Sequence, residues 1–175
     1  TTSGGDVFRD EFSLAFDGTN DYVDCGEGIG NTLGNDYAGD LTVSMWFKAN
    51  ATTGVGLFQS GNESHNNREF SIRLNSDKLE FGLNNIGWQK TVAFTNTSNW
   101  HHVTAILDNG SESTSLLYLD GVSVGSVEGG SSFPSATNLD FNGHDTHIGR
   151  FYNSYFNGNI SEVAIYDKAL SASEV

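Results

Sequence analysis

Apolar and polar residues alternate with period two in segment after segment of this chain, and no other feature limits its fold as strongly. "LTVSMWFKA" sets Leu41, Val43, Met45 and Phe47 on one face against Thr42, Ser44, Trp46 and Lys48 on the other. "EFSIRL" sets Phe70, Ile72 and Leu74 against Ser71 and Arg73, and "HHVTAILD" sets Val103, Ala105 and Leu107 against His102, Thr104 and Ile106. "KLEFGL" and "NISEVAIY" read the same way. Clusters rich in Gly, Asn, Asp, Ser and Thr follow these runs. In "LLYLDGVSVGSV", Asp120-Gly121 between two alternating runs predicts a two-residue type I′ hairpin. Many strands at this spacing predict an antiparallel β-sandwich or jelly roll. Only "DKALSASEV" reads as helical, with Ser171 as N-cap and Glu174 three residues on, as in a capping box.

The 175 residues fit one domain with a single core, residues 1–175. The chain begins without Met and stops inside the helical pattern, so it reads as a piece of a larger protein. Lys and Arg number 8 against 22 Asp and Glu, a formal net charge of −14. That field repels nucleic acid and anionic membranes and suits cations or neutral partners. No stretch reaches transmembrane length. The one cysteine, Cys25, allows no disulfide within the chain and reads as a small core residue at a strand end.

The order of "LAFDGTNDYVDCG", "LTVSMWFKA", "NWHHVTAILDNG", "LLYLDGVSVGS", "HIGR" and "FNGNISEVAIYDKALSASEV" resembles the laminin-G-like domains of the concanavalin-A-like lectin/glucanase superfamily. The resemblance runs from about Phe12 to Val175. It implies an all-β jelly roll of two antiparallel sheets and a non-catalytic binding module. Such modules are appended to enzymes, adhesins or virion proteins, are extracellular, at a cell surface or on a virion, and often hold structural calcium.

Two site expectations follow. Calcium takes six to eight hard oxygens, and Asp17-Gly18-Thr19-Asn20-Asp21 is a tight loop rich in them. Taken alone, such an Asp-Gly cluster is more commonly a turn in which Asp17 and Asn20 bond their own backbone. The resemblance implies calcium held by Asp17, Asn20, Asp21 and, from a closing strand paired beside the first, Glu162. In calcium-binding look-alikes an Asp often precedes that Glu, where this chain has Ser161.

A glycan site needs an aromatic face with amides and carboxylates around it. Trp88 with Asn85 forms one group, Asn66 and Arg68 a second, and Asp145, Arg150, Tyr152 and Asn153 a third. His144-x-x-His147 has zinc-like spacing but only Asp145 as an acidic neighbour, which favours a structural role. The strand with closely alternating carboxylates that glycosidases of this fold use is missing, so no catalysis is expected. The expected partner is a glycan or polysaccharide. The alternative is a structural or adhesion domain that binds protein or itself, and a divergent polysaccharide-active enzyme ranks third.

Overall fold

The computed structural model describes residues 12–33, 37, 39–61, 68–83, 87–108, 114–124, 141 and 143–175. In chain order the elements are β1 (Leu14–Asp17), β2 (Val23–Asp24), α1 (Gly28–Leu33), β3 (Leu41–Ala49), β4 (Val55–Gly61), β5 (Arg68–Asn75), β6 (Lys78–Leu83), β7 (Gly87–Ala93), β8 (His101–Leu107), β9 (Leu116–Leu119), β10 (Val122–Val124), β11 (Thr146–Ile148), β12 (Arg150–Phe151), β13 (Ser154–Tyr155) and β14 (Asn157–Tyr166).

Among the described residues two six-stranded sheets result, ordered β1-β14-β3-β8-β9-β10 and β2-β11-β4-β5-β6-β7, with β12 and β13 as a separate hairpin. Every pairing in them is antiparallel. This is the predicted jelly-roll sandwich. The first strand pairs beside the last, as expected, with Leu14 opposite Ile160 and Asp17 opposite Asn157. No helix among the described residues is long and apolar enough to cross a membrane.

The alternation explains the core. Leu41, Val43, Met45 and Phe47 of the first sheet, and Phe70, Ile72, Leu74, Leu79 and Phe81 of the second, are fully buried. The polar faces depart from the simple reading, since Thr42, Ser44, Gln59, Ser71 and Thr104 are buried too. On the first sheet part of the cause is the C-terminal segment. Thr42 Oγ1 donates to the Lys168 carbonyl at 2.7 Å and accepts the Leu170 N–H at 3.2 Å.

The β9–β10 hairpin forms at Asp120-Gly121, whose φ angles of 53° and 74° are those of a type I′ turn. Asp120 also ties the turn to β8, accepting the His102 N–H through Oδ1 at 2.9 Å and contacting His101 Nδ1 through Oδ2 at 2.7 Å. The C-terminal segment keeps one half of the capping box. Ser171 N–H donates to Glu174 Oε2 at 2.8 Å, but residues 172–174 form a turn rather than a helix. Hydrogen bonds from Lys168 and Ser171 lower the Glu174 carboxyl to a pKa of about 2. The short α1 was not anticipated, because "GIGNTL" has two glycines and a single apolar pair at helical spacing, Ile29 and Leu33. Cys25 is exposed rather than part of the core.

Candidate functional site on the outer face of the second sheet

The 17–21 loop turns as its composition predicts, with Gly18 at a φ of 80°. Asp17 Oδ1 accepts the Thr19 N–H at 2.7 Å, and Asp21 Oδ2 accepts the Asp17 N–H at 3.1 Å. Asn20 is exposed beside them. The four-residue calcium set does not converge. Asp17 faces Asn157, whereas Glu162 is five positions further along β14, about 16 Å at the usual rise per strand residue. Glu162 stands instead at the β14 bulge, with a φ of 50°. There its charge acts on His102, whose ring is tilted against Trp46 at 5.1 Å. Burial lowers the His102 pKa against the opposing pull of Asp120 and Glu162. The oxygen donors left near the loop are Asp17, Asn20 and Asp21, with Asn157 packed against Gly18.

Trp88 stands apart from the third glycan group. Asn66 and Asn85 lie outside the described residues. Arg68 opens β5 opposite Gly61. Trp88 pairs with Gly82 on β7, the edge strand furthest from β2. One register row crosses the whole sheet: Asp24, His147, Gln59, Ser71, Gly82 and Trp88. Its two ends are about 24 Å apart at normal strand spacing.

Asp145, Arg150 and Tyr152 do come together near the Asp24 end, and Asn153 follows Tyr152 in the exposed β12–β13 turn. The β12–β13 hairpin lies over β4, close enough that a Cβ on Gly56 would sit 2.1 Å from the Phe151 backbone nitrogen. Tyr152, at a φ of 55°, donates its N–H to Gln59 Oε1 at 2.7 Å. Arg150 is buried, and its Nε donates to the Tyr152 carbonyl at 2.8 Å. Its guanidinium lies 4.7 Å from the Tyr22 ring centre and 5.9 Å from that of Tyr155, within cation–π range. Tyr22 in turn stands edge-on to His147 at 5.2 Å. Asp24, Asp145 and Asn153 are exposed around this cluster.

Arg150 therefore orders two tyrosines. The partly exposed rings, Tyr22 at 40%, supply flat apolar area, and the rim supplies carboxylates and an amide. Sequence reading missed Tyr22 and Asp24. Both stand in the same "LAFDGTNDYVDCG" stretch as the metal candidates, and the β2–β11 pairing brings that stretch to His147.

No curated protein matches this chain in sequence. Among solved structures, domain 4 of AbnA, an extracellular arabinanase from Geobacillus stearothermophilus in complex with arabinotriose, is similar at a TM-score of 0.55 and 22% identity, over 78% of this chain and 64% of that one. Mouse laminin alpha1 domains LG4-5 give 0.57 and 18%, over 93% and 43%. Trypanosoma rangeli sialidase with the inhibitor DANA gives 0.65 and 13%, over 93% and 26%. The chain spans less than two thirds of each of these, and at such identities the likeness is one of fold. The laminin G family description matches residues 17–175, so the chain belongs to the concanavalin A-like lectin/glucanases superfamily.

Proposed function

We propose that this chain is a non-catalytic carbohydrate-binding module of an extracellular, cell-surface or virion protein. Its sugar surface is the outer face of the second sheet at Tyr22, Arg150 and Tyr155. The observation that carries this is the Arg150-ordered tyrosine pair rimmed by Asp24, Asp145 and Asn153. A ring face stacks on sugar C–H groups while the rim groups bond hydroxyls. The AbnA domain, which shares the fold, was solved with arabinotriose. A glycan array with soluble arabinan added tests the reading. The parent should bind, and Tyr22→Ala should weaken binding about tenfold, the equivalent of one stacking contact. Equal binding by both forms would remove the site from this face.

Calcium belongs to this proposal as a stabiliser of the 17–21 loop, on the hard-oxygen chemistry of Asp17, Asn20, Asp21 and Asn157 without Glu162. At a hundredfold excess over Kd a ligand adds about 2.7 kcal/mol. EGTA should then lower the melting temperature by about 5–10 °C. Identical melting in calcium and EGTA would leave the loop as a turn closed by its own hydrogen bonds.

The protein-binding alternative draws on one observation. Phe12 (88% exposed) and Leu14 (55%) border a groove with Ile148, Ile160 and Val163 beside the edge strand β1. Self-association lost on Phe12→Ser, with no glycan bound, would favour it.

A further inference from the structure

We propose that Asp24, Asp145 and His147 form a binding site for a divalent transition-metal ion of the zinc type. The site is distinct from the 17–21 loop. The three residues come from the end of β2, the segment before β11 and β11 itself, and one potential ligand atom from each lies within 4.8 Å of the others. His147 is 2% exposed and directly opposite Asp24 in the β2–β11 register, so the backbone fixes the relation between these two donors. The Nε2 to Asp24 Oδ1 separation is 4.0 Å, too long for a hydrogen bond. Ligands of a tetrahedral ion with bonds of about 2.1 Å stand about 3.4 Å apart. A small closure by the exposed Asp24 and Asp145 side chains reaches that spacing.

The donor chemistry selects the ion. One imidazole and two carboxylates suit zinc and similar borderline cations, whereas calcium wants oxygen alone. Three protein donors leave a coordination position for water or a ligand oxygen.

A second, independent observation lies in the same register row. Gln59 is fully buried on β4, opposite His147 on its other side. Its Oε1 is taken by the Tyr152 N–H, but its Nε2 has no hydrogen-bond partner. A buried amide donor left this way keeps the full penalty of its lost hydration. An oxygen carried into the site by the ion supplies the acceptor that Nε2 lacks.

The test is direct metal binding by the whole chain. Calorimetry with zinc should show one site of micromolar or tighter affinity. Cobalt should give the visible absorption of a low-symmetry site, and millimolar calcium should displace neither ion. Asp24→Asn and Asp145→Asn alter exposed side chains, so both should fold, and each should weaken zinc at least about tenfold. Cys25→Ser, next to Asp24 in sequence, should bind as the parent does. No binding at submillimolar zinc, parental affinity in both Asn variants, loss in Cys25→Ser, or displacement by calcium would each overturn the assignment.

Discussion

Gly56→Ala should strip the sugar face from the second sheet while leaving the sandwich folded. The new Cβ would stand 2.1 Å from the Phe151 nitrogen, 2.3 Å from the Arg150 carbonyl carbon and 2.4 Å from the Phe151 Cβ. Two of these neighbours are backbone, which no rotamer change moves. The β12–β13 hairpin must therefore lift off β4. Lifting breaks the bond from Tyr152 N–H to Gln59 and separates Arg73 from the Phe151 ring, 5.0 Å away. It also withdraws Arg150 from the Tyr22 and Tyr155 rings. Overpacking costs about 1–3 kcal/mol and a lost hydrogen bond about 1 kcal/mol more, so the expected loss is about 2–4 kcal/mol. Thermal unfolding should show a drop of about 5–15 °C, and glycan binding should disappear. A variant that melts and binds as the parent does would mean that the hairpin does not rest on β4.

Phe70→Ala should cost about 3–5 kcal/mol, a large part of the stability of any single domain. Phe70 is fully buried, edge-on to Phe58 at 6.1 Å and tilted against Phe81 at 4.8 Å. These three rings lie on adjacent strands, β4, β5 and β6, so the cavity opens at the centre of the second sheet. Rigid strands on both sides limit its collapse. Urea unfolding measures the effect, and Phe70→Leu should recover more than half of it. A loss under about 1 kcal/mol in Phe70→Ala would contradict the core described above.

What could be read in advance follows from how local the cause is. Strand identity and the Asp120-Gly121 hairpin rest on neighbours in sequence, and both were legible. The buried outer polar residues were not, because what covers them comes from far along the chain. Lys168 and Leu170 lie over Thr42, and Tyr152 over Gln59. Glu162 was assigned to the loop because the pairing of β1 with β14 was foreseen but its register was not. The register puts Asn157 at Asp17. Arg150, Tyr152 and Asp145 were visible as a polar loop set. Tyr22 and Asp24, more than a hundred residues earlier, join them through the two-residue strand β2 and the backbone bonds of Cys25 and Gly26 with Thr146.

Sugar binding at Tyr22, Arg150 and Tyr155 can be read residue by residue. An amide NMR titration of the chain with arabinotriose, then with the strongest ligand from the array, tests it most directly. Shift changes should be confined to residues around Tyr22–Asp24 and Thr146–Phe156. Saturable binding with shifts elsewhere on the sandwich, or no shifts with any sugar tried, would contradict it.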